Sequence, residues 1–325
     1  MITENGRFAA SKSSFVLLSA ASVFLGVGFT NQAATANQLV YSPFNYTLGA
    51  ALDSQGNSSD IGFGTGAYGG AIWRDGSGSS AAGVNTVGAP LTYTDANGTS
   101  LAVSGNSAQL NLGGTTRSPI NEGEWRDLSG ELGNNGSSSS SGYAVVPPQT
   151  LWISFIAQVP STETNYNYGG VELVDQNNGN LQGLFIGQTG TFPLWGMSND
   201  NGSASAKSNL AFTKKAFLVA EINLGGAPFN SVAGGDAVIN LWQNPLLGSA
   251  PPATPNATIS AGVNFQFNQI VLASGAPISF GDIRIGTTWA DVTPVPDPAP
   301  LALLGTAGMG FLLLRRRNRQ SRRAS

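Results

Sequence analysis

The sequence contains no cysteine and no histidine, and only 10% of its 325 residues are charged. The absence of cysteine excludes disulfides and thiolate metal sites. The absence of histidine excludes Ser-His-Asp and Cys-His triads within this chain and removes the commonest transition-metal ligand. The chain does contain 43 glycines and 17 prolines, and 41% of it is hydrophobic. This composition indicates a folded, loop-rich protein with enough apolar residues for a core.

Basic residues are concentrated at the C-terminal end. Of the 15 Lys and Arg residues, six lie in the last eleven positions. They are Arg315, Arg316, Arg317, Arg319, Arg322 and Arg323. Positions 37–294 hold seven basic and sixteen acidic residues, a net charge of −9. A body with this charge has no basic patch to neutralise a phosphate backbone, so the sequence predicts no nucleic-acid binding.

The N-terminus has the pattern of an export signal. Arg7 and Lys12 precede the apolar run 15–29, and small residues follow at Ala34 and Ala36 in an A-x-A arrangement. The run is short for a membrane span, and the small residues follow at the distance typical of a cleavage site. We therefore predict a signal peptide over residues 1–36, with cleavage after Ala36.

A second uncharged segment lies near the C-terminus. Residues 298–314 carry no charge, and as a helix they would be about 25 Å long, slightly less than the ~30 Å hydrocarbon core. Pro300 is tolerated in the first turn of such a helix. The arginines that follow Leu314 would stay on the cytoplasmic side of the membrane. The sequence therefore predicts a single membrane helix at about 299–314, followed by an Arg-rich tail over 315–325.

This C-terminal segment, VPDPAPLALLGTAGMGFLLLRRR, closely resembles the PEP-CTERM sorting signal of Gram-negative bacteria. In that signal a Pro-acid-Pro motif precedes a short membrane helix and an arginine cluster. The matching residues are Pro296, Asp297, Pro298, Arg315, Arg316 and Arg317. Asp297 stands where the family usually has glutamate. The resemblance implies a sorting signal over 294–325, processing by an exosortase-like membrane transpeptidase, and export linked to extracellular polysaccharide. A permanent single-span anchor is the alternative.

The body between the two signals, residues 37–293, has apolar residues that alternate with period two. In TLWISFIAQV, one strand face would carry Leu151, Ile153, Phe155, Ala157 and Val159. In GDIRIG, Ile283 and Ile285 are predicted to face inward, opposite Asp282 and Arg284. Helical patterns are nearly absent, and turn-rich segments such as GNNGSSSSSG separate the runs. We therefore predict one all-β domain, an antiparallel β-sandwich.

The body also resembles the concanavalin A-like lectin/glucanase sandwiches in their laminin G-like form. The resemblance is carried by GFGTGAYGGAIW, LWISFIAQ, GGVELVD, GLFIGQ, FLVAEINL, VINLWQNP and FGDIRIGTTWADVTP, and it spans most of the body. It implies a jelly-roll β-sandwich. Because these motifs are mainly structural, the resemblance supports the fold more strongly than any function.

Two acidic clusters are candidates for the paired carboxylates of a glycoside hydrolase. NEGEWRD contains Glu122 and Glu124, which would share one face of an extended strand beside Trp125. VELVD contains Glu172 and Asp175, which would lie on opposite faces. Neither cluster reproduces the dense E-x-D-x-x-E or E-x-D-x-E strand of the glucanases. The sequence therefore favours a noncatalytic protein, with a divergent polysaccharide hydrolase or lyase as the alternative.

Aromatic residues near polar loops are candidates for carbohydrate binding, because lectin sites combine flat aromatic faces with Asn, Asp and Gly groups on loops. The residues near such loops are Trp73, Trp125, Trp195, Tyr166 and Tyr168. Among them, Trp125, Tyr166 and Tyr168 are the ligand-binding candidates. Trp152, Trp242 and Trp289 lie in strand-like runs, so we expect them in the core.

Loop oxygens of this chain are chemically suited to calcium, but no EF-hand-like spacing is present. A structural calcium site and simple solvation both remain open for the loop acids Asp175, Asp200 and Asp236. No other cofactor is predicted. The function predicted from the sequence is that of an exported, noncatalytic cell-surface or extracellular-matrix protein of a Gram-negative bacterium that binds polysaccharide weakly.

Overall fold

A computed structural model describes only part of the chain. The described residues are 38–52, 55, 73–75, 85–110, 122–127, 150–160, 168–174, 184–188, 193–199, 205–212, 214–223, 238–260, 269–275 and 277–295. The chain divides into two units, 1–34 and 35–325, and every described residue belongs to the second. The predicted signal peptide, sorting motif and C-terminal helix lie outside the described residues. Within the described ranges, no helix is long and apolar enough to cross a membrane.

The described residues form two β-sheets. Sheet A contains β1 (Gln38–Ser42), β3 (Thr86–Gly88), β4 (Ser107–Leu110), β6 (Thr150–Gln158), β11 (Ala216–Asn223), β12 (Val238–Gln243), β13 (Ala257–Ser260) and β15 (Ile278–Gly286). Sheet B contains β2 (Arg74–Asp75), β5 (Glu122–Asp127), β7 (Gly169–Val174), β8 (Leu184–Gln188), β9 (Leu194–Asn199), β10 (Ser205–Ala211) and β14 (Gln269–Ser274).

The strand order is β13-β12-β11-β6-β15-β4-β3 in sheet A and β10-β9-β8-β7-β14-β5-β2 in sheet B. β1 pairs with β15 beside β4. The pairings between named strands of the described residues are antiparallel. The predicted all-β class and antiparallel pairing are therefore confirmed.

The inner faces of the two sheets share one hydrophobic core. Leu218 and Ile285 of sheet A belong to the same packed cluster as Val171 and Leu272 of sheet B. Each side chain of this size stabilises the fold by about 1.5–3 kcal/mol when it is fully buried. Ile283 and Ile285 both point into this core, as the alternation predicted.

The outer face of sheet A is also buried over much of its area. In β6, every residue from position 151 to 157 is buried. The outward side chains of Trp152 and Ile156 pack in a second cluster with Tyr93, Leu101 and Leu247. Those three residues lie in the segments 91–103 and 244–256, which cover this face. The alternation predicted only one buried face, whereas strands covered on both sides have nearly continuous apolar runs.

A short helix, α1 (Trp289–Val292), follows β15 and contributes to the same cover. Its N-terminus has a capping box: the Thr288 hydroxyl accepts the Asp291 N–H at 3.3 Å, and the Asp291 carboxylate accepts the Thr288 N–H at 2.8 Å. Placing Trp289 in a strand-like run was therefore wrong, although Trp289 is in the core as predicted. The T-x-x-D pattern in TTWADV is the sequence signal for this helix start.

An ion pair is buried beneath the covering segment 91–103. β15 has an irregular register between Gly281 and Arg284, where Asp282 adopts a φ of 56°. Arg284 donates from Nε and Nη2 to the two carboxylate oxygens of Asp282 at 2.8 and 2.9 Å, and the exposed fractions of the two residues are 5% and 0%. Arg284 also donates to the Ala102 carbonyl, and its guanidinium lies 4.6 Å from the centre of the Tyr41 ring. Burial raises the pKa of Asp282, and the Arg284 charge opposes that shift.

Candidate functional site

The carboxylates proposed for catalysis lie on β5, of which the structure describes the backbone alone. Glu122 is paired with Ser274 and Glu124 with Leu272, both of β14. Trp125, a ligand-binding candidate, is paired with Val271 of the same strand. These pairings place the three residues in sheet B.

Tyr168 lies next to the same strand from the other side. It precedes β7, it is half-buried, and its carbonyl accepts the N–H of Gly275 at 2.8 Å. Sheet B therefore places Trp125 on one of the two strands that flank β14 and Tyr168 directly before the other. Tyr166, like the loop acids Asp175, Asp200 and Asp236, lies outside the described residues.

Two of the tryptophans that lie near polar loops in the sequence belong to the core. Trp73 and Trp195 are both 0% exposed. Trp73 stacks on Phe44 with ring centroids 5.5 Å apart, and Trp195 meets Phe212 edge-on at 4.6 Å. The indole N–H of Trp195 donates to the Lys214 carbonyl at 3.0 Å. Because Trp195 occupies an inward position of β9, its ring fills the space between the sheets and is inaccessible to a ligand.

The other three tryptophans form a cluster on the outer face of sheet A, buried as predicted. Trp152 and Trp242 stack at 5.5 Å with an interplanar angle of 28°. Trp289 meets both rings edge-on, at 5.4 and 5.7 Å. Trp242 also donates its indole N–H to the Pro252 carbonyl at 2.9 Å, which holds the covering loop against the sheet.

A strip of polar side chains begins where this cover ends. Along β11, the outward residues change from Phe217 and Val219, which belong to the buried cluster, to Glu221 and Asn223. Glu221 is paired with Trp152 of β6 on one side and with Asn240 of β12 on the other, and Asn240 is paired with Thr258 of β13. The polar strip comprises the exposed or half-buried residues Thr150, Glu221, Asn223, Asn240 and Thr258.

Three members of the polar strip are joined by hydrogen bonds across three strands. Thr258 Oγ1 donates to Asn240 Oδ1 at 3.0 Å, and Asn240 Nδ2 donates to Glu221 Oε2 at 2.9 Å. Because an ionised carboxylate only accepts hydrogen bonds, this ladder fixes which end of the Asn240 amide faces each neighbour. The carboxylate, the amide and the hydroxyl each have further hydrogen-bonding capacity beyond the ladder.

The acid–base chemistry of the polar strip is limited to one carboxylate. Among the described members of the strip, Glu221 is the one acidic residue, whereas the usual glycoside hydrolase mechanism uses two flanking carboxylates. In the described part of the chain, no cluster of three or more acidic residues is arranged to hold a metal ion. Hydrogen bonding to a neutral polar ligand is the chemistry that these side chains offer.

Comparison with known proteins gives only distant structural likenesses. No family model matches the chain, and no curated protein matches it in sequence. Similar solved structures include a bifunctional GH43-CE protein of Bacteroides eggerthii, with 13% identity over 57% of this chain and a TM-score of 0.30. They also include a cellulose-induced protein, with 15% identity over 63% of this chain and a TM-score of 0.34. A third is the binding domain of botulinum neurotoxin serotype C1, with 12% identity over 67% of this chain and a TM-score of 0.32.

The matched lengths of these proteins differ widely. The chain spans 23% of the GH43-CE protein, 86% of the cellulose-induced protein and 51% of the neurotoxin domain. At these TM-scores the likenesses carry no argument about function.

Proposed function

We propose that this protein is an exported, noncatalytic carbohydrate-binding protein and that the polar strip binds polysaccharide. The hydrogen-bonded ladder of Glu221, Asn240 and Thr258 is the observation that carries the proposal. Adjacent strands are about 4.8 Å apart, so the three groups extend over about 10 Å, long enough for a short oligosaccharide. Sugar hydroxyls both donate and accept hydrogen bonds, which suits a row of a carboxylate, an amide and a hydroxyl held in fixed orientations.

Binding at this strip should be weak. Trp152, the aromatic residue paired with Glu221, is only 7% exposed, so it offers little ring surface for stacking against a sugar. Hydrogen bonds then supply the affinity, and each contributes about 0.5–1.5 kcal/mol net. Four such bonds give a binding free energy of roughly 2–6 kcal/mol, and the middle of this range corresponds to a Kd of about 1 mM. Useful attachment would therefore rely on many copies of the protein engaging one long polymer.

The charge of the body restricts the class of polysaccharide. Residues 37–294 carry a net charge of −9, and the polar strip itself contributes the carboxylate of Glu221. Like-charge repulsion disfavours uronate-rich or sulfated polymers. The proposed ligand is consequently a neutral polysaccharide.

Binding of glycans to the purified protein tests this function. A glycan array followed by calorimetry with the best oligosaccharide should give a Kd that rises about tenfold in Asn240→Ala, since a loss of 1.4 kcal/mol is a factor of ten. Asn209→Ala, which removes an exposed amide from β10 of sheet B, is the matched control and should bind as the parent does. Equal affinity of the two variants would refute the assignment of the strip.

The same assay addresses the hydrolase or lyase alternative. Release of reducing ends from the bound glycan, lost in Glu122→Gln or Glu124→Gln, would favour an enzyme and contradict a noncatalytic role. Loss of binding in Tyr168→Ala, with Asn240→Ala unaffected, would move the binding site to sheet B.

We also propose that the body is a concanavalin A-like jelly roll and that the two terminal segments direct the protein out of the cell. The signal peptide would be removed after Ala36, and an exosortase-like enzyme would cut beside Pro296. Mass spectrometry of the surface and medium fractions should find a C-terminus near Pro296 and no peptide from Leu301 onward. An intact C-terminal segment on most of the mature protein would instead support the permanent anchor.

A further inference from the structure

The chain leaves the body at a rigid point. Thr293 donates its amide and its hydroxyl to the Trp289 carbonyl, at 3.0 and 2.8 Å. The carbonyl of Pro294 accepts the N–H of Ala102 at 3.0 Å, and the carbonyl of Ala102 accepts a hydrogen bond from Arg284 of the buried ion pair. The backbone is therefore fixed to sheet A up to two residues before the Pro-Asp-Pro motif.

Exposed apolar side chains lie at this exit point. Leu246 and Val295 are each 39% exposed. Leu246 belongs to the turn 246–249, where Ser249 Oγ donates to the Leu246 carbonyl at 3.1 Å, and a Cβ on Gly248 would lie 3.7 Å from Val295 Cγ1. The loop 244–256, which contains this turn, has no charged residue. We name Leu246, Gly248 and Val295 the exit surface.

The length of chain beyond the exit surface places it near the bilayer. Three peptide units separate Val295 from Pro298, where the uncharged run 298–314 begins, and fully extended they reach about 10 Å. If the sorting segment of the proposed function is a membrane helix until it is cleaved, we infer that in the uncleaved protein the exit surface lies against the lipid headgroups, with Leu246 and Val295 facing the bilayer. Because the loop is uncharged, it avoids the repulsion from anionic lipids that the acidic body would otherwise meet.

This orientation directs part of the polar strip away from the membrane. The loop 244–256 is attached at one end of β11, where the Phe217 N–H donates to Asn244 Oδ1 at 2.8 Å. Asn223 lies at the other end of β11, about 20 Å further along the strand at ~3.3 Å per residue. A rigid exit point therefore holds Asn223 at a greater distance from the bilayer than Leu246.

Because the chain has no cysteine, single labels can test the orientation. Leu246→Cys and Asn223→Cys variants of the full-length, uncleaved protein would each carry one NBD fluorophore and be reconstituted into vesicles of phosphatidylcholine and phosphatidylglycerol. A lipid that is spin-labelled on its headgroup should quench the label at position 246 several-fold more strongly than the label at 223. Equal quenching, or stronger quenching at 223, would overturn the inference.

Two controls separate the causes of failure. Protein that does not float with the vesicles would overturn both the anchor and the orientation, whereas carbohydrate binding is measured without lipid and stands or falls separately. Each labelled variant should also melt at the temperature of the parent. If Leu246→Cys is destabilised, the label moves to Val295→Cys, for which the same strong quenching is expected and its absence is equally decisive.

Discussion

Replacing Arg284 with methionine should strongly destabilise the fold. Arg284→Met keeps much of the apolar stem but removes both hydrogen bonds to Asp282, the bond to the Ala102 carbonyl and the contact with the Tyr41 ring. Asp282, which is 0% exposed, is then left without its counter-charge. Breaking a buried ion pair in this way typically costs about 3–5 kcal/mol of unfolding free energy. Urea unfolding followed by tryptophan fluorescence measures this loss, with a shifted midpoint and an unchanged slope as the expected result.

The pH dependence of the loss identifies its cause. Burial raises the pKa of Asp282 above its unfolded value, so this group contributes stability below its unfolded pKa that is lost as pH rises through the folded pKa. Without Arg284 the folded pKa should rise further, and acidification from neutral pH should restore part of the stability of Arg284→Met by protonating Asp282.

A double variant provides the control. Asp282→Asn/Arg284→Met removes both charges, and asparagine tolerates the left-handed φ of 56° at position 282. It should be more stable than Arg284→Met alone at neutral pH, because no uncompensated charge is buried. A loss below about 1 kcal/mol in Arg284→Met, the value of an exposed pair, would refute the reasoning, as would a loss that is independent of pH.

Three further predictions concern local features. Gly187→Ala should be strongly destabilising, because a Cβ there would lie 2.3 Å from the carbonyl oxygen of Gly169. In Gly49→Ala the new Cβ meets no atom within 4 Å, so this variant should lose only about 1–2 kcal/mol of unfolding free energy for its positive φ. Similar melting temperatures of the two variants would contradict the prediction. Backbone N–H groups, chiefly that of Leu247, lower the pKa of Asp95, so its stabilisation is present above the unfolded pKa and is lost as pH falls through the folded one. In Asp95→Asn the melting temperature should therefore fall less steeply than in the parent as the pH is lowered. An unchanged slope of melting temperature against pH would contradict this role of Asp95. Thr288→Ala should lower the unfolding free energy by about 1 kcal/mol through loss of the α1 cap, and a urea midpoint equal to that of the parent would show that the cap contributes nothing.

The sequence was sufficient to predict some of the strands, β6 and β15 among them, but not what lies on each side of them. Period-two alternation identified the inward residues Ile283 and Ile285 because backbone geometry alone determines which face a side chain takes. The cover on the other face of sheet A comes from Tyr93 and Leu247, which lie far from β6 in the sequence and in segments without a periodic pattern. Local patterns do not carry that information, so the burial of Asp282 was not predicted.

The polar strip was missed for a related reason. Glu221 and Asn240 are 19 residues apart, and Asn240 and Thr258 are 18 residues apart. Each is an ordinary polar residue within its own strand, and only the strand register brings the three into one row. Aromatic residues were more conspicuous in the sequence, but their position near loops did not show that Trp73 and Trp195 are buried, because a large apolar ring near a loop is as suited to the core as to a ligand.

The position of β15 has a consequence for the order in which the protein folds. Among the described strands this one is the last in sequence, yet it lies in the middle of sheet A, between β6 on one side and both β4 and β1 on the other. A ribosome synthesises it after every one of its described partners, so sheet A cannot close before residues 278–286 have emerged. The pairing of β1 with β15 joins opposite ends of the body, and such long-range pairing makes folding slow. Sheet A of the nascent protein therefore remains open, with the edges of β6, β4 and β1 unpaired on the side of β15, until β15 has left the ribosome.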